Sequence, residues 1–284
     1  MSEEQKEWTY SDLIAEIIAS IKASDIDSQM FLRAEIKSAF RRTDEQINSA
    51  LFQALSDSEL PNKSPKKRHV DLQSVETLQY SMEGWMLRGD VGLTYGAFGT
   101  GKTTLALHKA YNFAKGKNIL DRNKPCEPGK SLFIATDSGL SPLKKAMQDL
   151  GISDDDPLIS NGPQQMIFFW GFAPEQGHSA WGCDIEGVIK LKQFIQEEEL
   201  SYVVIDSAKS VSSRGGWNYR DNESVRCLLT YMREIICQPN GIFVEFLSHD
   251  GTEKGAHAGA KSWAEEPSMV IQLTPAKDIE GKQV

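Results

Sequence analysis

Residues 96–103 read Gly-Ala-Phe-Gly-Thr-Gly-Lys-Thr and satisfy the pattern G-x-x-x-x-G-K-[ST] at every fixed position. No other stretch restricts the fold of this chain as strongly. The pattern works only where a strand delivers the backbone into a glycine-lined turn and a helix starts at the lysine. The turn's N–H groups and the helix N-terminus then converge on one anion. Both flanks comply. Val91–Tyr95 is a short apolar run ahead of the turn, and Lys102–Lys115 carries Leu105, Ala106 and Leu107 as a helix would.

The sequence from about Val70 onward supplies the rest of such a fold. Ser131–Thr136, Met166–Trp170, Tyr202–Asp206, Ile242–Leu247 and Met269–Leu273 join Val91–Tyr95 as strand candidates. Most are continuous apolar runs, as strands covered on both faces require. Helical stretches fit Ser141–Leu150, Ile185–Glu198 and Asn222–Cys237 between them. The alternation predicts an α/β domain with a mainly parallel sheet flanked by helices.

Residues 8–58 differ in character. Leu13, Ile14, Ile17, Ile18 and Ile21 share one helical face, a second helix fits Gln29–Phe40, and Thr43-Asp44-Glu45-Gln46 has the form of a capping box. Ile47, Ala50, Leu51 and Leu55 are the apolar face of the helix it opens. Three short helices of this kind fit either a winged-helix or helix-turn-helix reader of DNA or a bundle for packing and protein contacts. Residues 60–70 hold two prolines with Lys63, Lys66, Lys67 and Arg68 and no apolar period, which reads as a tether. The expected organisation is a helical unit over 1–60, a basic linker over 61–74 and an α/β domain over 75–284.

The chemistry starts at the turn. Gly96, Ala97, Phe98, Gly99, Thr100, Gly101, Lys102, Thr103 and Thr104 are the candidate nucleotide-binding residues. Lys102 reaches for the β- and γ-phosphates of ATP, and the Thr103 hydroxyl for Mg²⁺. Tyr202–Asp206 is an apolar strand ending in a carboxylate, the form of a second metal-site group, with its strand expected beside that of the turn. Leu132–Asp137 ends a strand directly after the turn's helix, which makes Asp137 a candidate to orient the attacking water or simply a cap for the turn that follows. Ser248 and His249 close another strand and are candidate γ-phosphate sensors. Glu245, inside that strand, must face a cavity or pair with a lysine, since a buried lone carboxylate is costly.

The net charge of −9 excludes nucleic-acid binding over the whole surface, because phosphate neutralisation needs clustered Lys and Arg. Four cysteines stand far apart with no metal spacing, the pattern of free thiols in a reducing compartment. No apolar run is long enough for a membrane span and the first residues are acidic rather than signal-like, so a cytoplasmic protein is expected.

Together these residues resemble the RecA-like ATPases of the RepA type, the hexameric replicative helicases of plasmids and related mobile elements. The resemblance spans roughly Val75 to Thr274. It includes Glu83–Val91 ahead of the turn and Phe133–Leu140, where Asp137 stands in place of the family's Glu. It continues through Arg220-Asp221-Asn222-Glu223, through Ser248-His249-Asp250-Gly251 in place of His-His-Thr-Gly, and through Gly259-Ala260-Lys261-Ser262 near the family's trans-acting basic finger. The resemblance implies a RecA-like fold, ATP and Mg²⁺, a homo-hexamer, and catalytic roles for Lys102, Asp137, Asp206, His249 and Lys261. It also implies two channel-facing loops, Ala208–Asp221 and Asp250–Ala260, that hold single-stranded DNA. Lys209, Arg214, Trp217, Tyr219 and Arg220 in the first, and Lys254 and His257 in the second, are the candidate contacts, with aromatic faces suited to stacked bases. Basic loops in a pore leave the outer surface free to be acidic. Two other functions fit the same motifs: a RecA-like nucleotide switch that loads or regulates DNA-processing partners through the N-terminal helices, and a small-molecule kinase, against which the absence of an obvious lid segment counts.

Overall fold

A computed structural model describes residues 8–23, 25–59, 77–119, 124–136, 140–171, 181–249 and 259–275. It opens with three helices, α1 (Tyr10–Lys22), α2 (Ile26–Phe40) and α3 (Asp44–Glu59). The capping box read from the sequence is present at α3. The Thr43 N–H donates to Gln46 Oε1 at 3.2 Å, and the Gln46 N–H donates to Thr43 Oγ1 at 3.3 Å. A second box, between Thr9 and Asp12, opens α1. Helix α2 begins earlier than expected because Asp25 supplies its cap, accepting from the Ser28 N–H at 3.1 Å.

Six strands follow the expected runs: β3 (Asp90–Gly96), β4 (Lys130–Ala135), β5 (Ile167–Gly171), β6 (Leu200–Asp206), β7 (Phe243–His249) and β8 (Met269–Leu273). They form one sheet in the order β5-β4-β6-β7-β3-β8, and every neighbouring pair is parallel. A small antiparallel pair, β1 (Tyr80–Met82) and β2 (Met86–Leu87), precedes it and lacked a recognisable alternation in the sequence. The interleaved helices are α4 (Lys102–Ala114), α5 (Ser141–Asp149), α6 (Ile185–Glu198), α7 (Ala208–Arg214), α8 (Asn222–Tyr231), α9 (Gln238–Asn240) and α10 (Ser262–Glu265). A π-helical turn, Met232–Cys237, carries α8 into α9.

Residue parity divides each strand between two cores. On one face Phe133, Tyr202, Val204, Phe243 and Leu247 pack beneath Ala106, Leu107, Ala110 and Phe113 of α4 and Leu143 and Met147 of α5. On the other, Leu132, Ile134, Val203, Ile205, Val244 and Phe246 join α6, α8 and the π turn. That second core does not stop at the domain edge foreseen at residue 60. Leu13, Ile17, Ile36, Ile47, Leu51 and Phe52 belong to the same buried cluster. Phe52 lies 5.1 Å, centroid to centroid, from both Trp217 and Tyr231, and Ser56 donates to the Glu234 carboxylate. The apolar stripes of α1 and α3 are therefore spent on packing against the α/β body.

This is a RecA-like α/β P-loop NTPase fold. One detail of the sequence reading changes: β7 lies between β3 and β6, so Asp206 is on a strand one removed from the P-loop strand rather than beside it. Asp206 still meets the P-loop helix, because α4 crosses that face of the sheet. Among the described residues no helix is long and apolar enough to cross a membrane.

Candidate nucleotide site

The site forms at the C-terminal ends of β3, β4, β6 and β7, where ligands gather in open α/β sheets. At the end of β3, a Cβ on Gly96 would lie 2.5 Å from the Leu273 carbonyl oxygen and 2.8 Å from Thr100 Oγ1, so no side chain fits. Gly99 and Gly101 have φ of 79° and 81°, the left-handed conformation that glycine adopts without a steric penalty. Gly101 is the N-cap of α4 and supplies no side-chain acceptor. By contrast, Thr9, Asp184, Ser207 and Asp221 cap α1, α6, α7 and α8 with their own oxygens. The first amides of α4 are thus without a side-chain cap, at the positive end of the helix dipole, which is what a phosphate cradle requires.

Lys102 is largely buried, and its Nζ donates to the carbonyls of Gly96 and Ala97, each at 2.9 Å, and lies 3.5 Å from His249 Nδ1. These contacts hold the ammonium over the mouth of the turn. Thr103 Oγ1 donates to Asp206 Oδ2 at 2.7 Å, uniting the two groups read from the sequence as metal ligands. Thr136 braces Asp206 from the neighbouring strand: its N–H and Oγ1 donate to the Asp206 carbonyl at 2.7 and 3.0 Å. The Ser207 N–H donates to Thr136 Oγ1 at 3.1 Å. A cavity of about 380 Å³ opens here and is lined by the P-loop residues, Asp206, His249 and one side of α5. Phe98 is 93% exposed at its lip, its ring 6.4 Å from that of His249.

Thr103 and Asp206 offer hard oxygen ligands, the type Mg²⁺ prefers. Among the described residues no group of three or more His, Cys, Asp or Glu side chains comes together.

Lys102, Asp206, His249 and the P-loop residues meet as the sequence implied. Asp137, Lys254 and His257 lie outside the described residues. Ser248 is buried and shares a 2.6 Å hydrogen bond with the Tyr219 hydroxyl, so it faces the core rather than the cavity. Lys261, expected to act on a neighbouring subunit's site, is exposed at the start of α10.

The first segment expected to face a channel needs the largest correction. Residues 208–214 form α7, not a loop. Tyr219 is buried against Trp263, with ring centroids 5.5 Å apart, and burial pushes its phenol up in pKa. Trp217 is half-buried against Phe52 and Tyr231, and its Nε1 donates to the Cys183 carbonyl at 2.8 Å. Tyr219 is thus part of the core, and Trp217 spends much of its ring on packing against the N-terminal helices. They were read as ligand contacts because a Trp and a Tyr among Ser and Gly look the same in sequence whether they stack on a base or close a core. Lys209, Arg214 and Arg220 are exposed. Arg214 also turns back toward the site, Nη2 donating to the Thr136 carbonyl at 3.4 Å.

A family model described as an AAA domain matches residues 61–254, more than half of the chain, and the chain belongs to that family. It is an AAA-type P-loop ATPase, a class that binds and hydrolyses nucleotides, usually with Mg²⁺. A search of curated proteins finds no match.

Proposed function

We propose that this ATPase is a translocase or helicase on single-stranded DNA, serving the replication of a plasmid, phage or mobile element and assembling as a homo-hexamer. One observation carries the reading. Asp206 ends β6, and the exposed Lys209 and Arg214 sit on α7, which begins two residues later. Two exposed cations thus stand on the helix that directly follows the site's carboxylate, where a nucleotide-driven change would meet nucleic acid.

In this reading the amides of the P-loop and α4 bind the triphosphate, and Lys102 leaves the Gly96 and Ala97 carbonyls to neutralise its terminal oxygens. Thr103 and Asp206, joined by their hydrogen bond, would hold the Mg²⁺ that accompanies the nucleotide. When bound, the ion would supply charge neutralisation for the phosphates. His249, within reach of Lys102, senses whether the terminal phosphate is present. Asp137 orients the attacking water, and Lys261 reaches a neighbouring subunit's site. Both assignments are proposals by resemblance.

A second reading, a nucleotide switch that regulates DNA-processing partners without unwinding, gains support from the packing of Trp217 and Tyr219. The burial of Tyr219 and the partial burial of Trp217 make these two aromatics poorer stacking platforms than a translocase would use. ATP turnover measured with and without single-stranded DNA separates the two, with Lys102→Ala as the control. Stimulation by DNA that vanishes in Lys102→Ala, together with strand displacement, supports the helicase. Turnover indifferent to DNA refutes it in favour of the switch.

A further inference from the structure

Beneath the nucleotide site lies a buried polar cluster that the chemistry above does not use. Glu245 on β7 is fully buried and accepts from Lys109 on α4, Thr94 on β3 and Tyr202 on β6. The Lys109 and Glu245 side chains are both 0% exposed. Burial, together with the Glu245 charge, drives the Tyr202 phenol well up in pKa, so it remains a donor. Every acceptor oxygen of Glu245 is thus engaged by a donor from a different element.

Those four elements are the ones that carry the site. β3 runs from Thr94 to Gly96, α4 from Lys102 and Thr103 to Lys109, β6 from Tyr202 to Asp206, and β7 from Glu245 to His249. The offsets along the three strands are all even, so strand alternation turns each network residue to the same face as the site residue beyond it. On α4 the offset is two helical turns, which places Lys109 and Lys102 on the same side of the helix. Gly92, opposite Glu245 in the β3–β7 register, leaves the space: a Cβ there would lie 2.4 Å from the Phe243 ring. The cluster lies roughly 10 Å below the phosphate cradle, from the rise per residue of helix and strand.

Fold stability alone does not demand this arrangement. Well-packed apolar residues of similar volume commonly replace a buried ion pair at no cost to stability. An apolar pair, however, tolerates sliding of a helix over a sheet, whereas a carboxylate fixed by three donors of defined direction does not. We infer that the Lys109–Glu245 pair, with Thr94 and Tyr202, is a positioning network that sets the register of the P-loop helix against the Asp206 and His249 strands. It holds Thr103 on Asp206 and Lys102 beside His249 while the nucleotide is turned over. The inference rests on the reading of this site as the ATPase centre.

The test is the double variant Lys109→Met/Glu245→Leu in the full chain, which removes both charges and leaves neither unpaired. Thermal unfolding, calorimetric binding of a non-hydrolysable ATP analogue with Mg²⁺, and steady-state turnover with single-stranded DNA are measured on it and on wild type. The expected result is a folded, cooperatively melting protein, lowered in melting temperature by the loss of the acceptor for the Thr94 and Tyr202 hydroxyls, with analogue affinity within about threefold. With these, kcat falls at least tenfold while KM changes little. A folded double variant with wild-type kcat overturns the inference and leaves the ATPase reading intact, whereas a wild type that binds no analogue overturns both. Should the double variant fail to fold, Tyr202→Phe and Thr94→Val keep the packing and each delete one donor. A kcat lowered at least threefold at unchanged KM supports the network, and unchanged kcat in both refutes it.

Discussion

Replacing Trp217 with alanine decides between the two roles that an aromatic residue after the Asp206 strand can have. In the structure its ring packs edge-on to Phe52 at 5.1 Å and lies 6.1 Å from Tyr231, and its Nε1 satisfies the Cys183 carbonyl at 2.8 Å. Truncating a buried aromatic ring to alanine costs about 3–5 kcal/mol. Trp217 is half-buried, which argues for the lower end. Trp217→Phe keeps a ring against Phe52 and loses the hydrogen bond, for about 1 kcal/mol. Urea unfolding followed by circular dichroism is then expected to give a loss of about 3 kcal/mol for alanine and about 1 for phenylalanine. Because Phe52 and Trp217 touch, the Phe52→Ala/Trp217→Ala double variant is expected to lose less than the sum of the singles. Had Trp217 been a base platform, its removal would cost roughly 1–3 kcal/mol of single-stranded DNA affinity and little stability. The packing argument therefore expects DNA affinity, measured on folded protein by fluorescence anisotropy, to change less than twofold. In the same assay Lys209→Ala is expected to weaken binding and flatten its salt dependence. A Trp217→Ala protein of wild-type stability that binds DNA tenfold more weakly would refute the reasoning.

Two further outcomes follow from the geometry. Gly96→Ala places a Cβ 2.5 Å from the Leu273 carbonyl oxygen, so the P-loop must shift; calorimetry is expected to find nucleotide affinity at least tenfold lower, and wild-type affinity would show the turn to be more tolerant than its contacts allow. Burial pushes the thiols of Cys183 and Cys237 and the phenol of Tyr202 up from ordinary values of 9.0 for the thiols and 10.0 for the phenol. The unfolded chain releases these protons near the ordinary values while the folded chain keeps them, so the folded state binds more protons above pH 9 and stability falls as pH rises. Thermal melts are expected to drop steadily between about pH 9 and 10.5, less steeply in Cys183→Ala, and a level profile over that range would contradict the burial.

The N-terminal helices bear on how the ATPase could be regulated. The apolar faces of α1–α3 enter the core that holds Trp217 and Tyr231. In the switch reading, a partner bound at α1–α3 would stand against the segment between α7 and α8. That gives the switch reading a physical route from a partner to the nucleotide site.

The local chemistry of this chain was legible in its sequence because it is carried by neighbours along the backbone. Gly96–Thr103 dictates a turn and a helix start, continuous apolar runs dictate covered strands, and Thr43 and Gln46 dictate a cap, each within a few residues and each found where the pattern put it. What the sequence could not settle were facts about distant pairs. Glu245 was recognisably in need of a partner, but only the crossing of α4 over the sheet selects Lys109 from among the chain's lysines. The strand β7 between β3 and β6, the burial of Trp217 and Tyr219, and the merging of two cores across the foreseen boundary are decisions of the same kind. Periodicity reports which face of an element is apolar, whereas the surface that face meets is fixed by the packing of the whole chain.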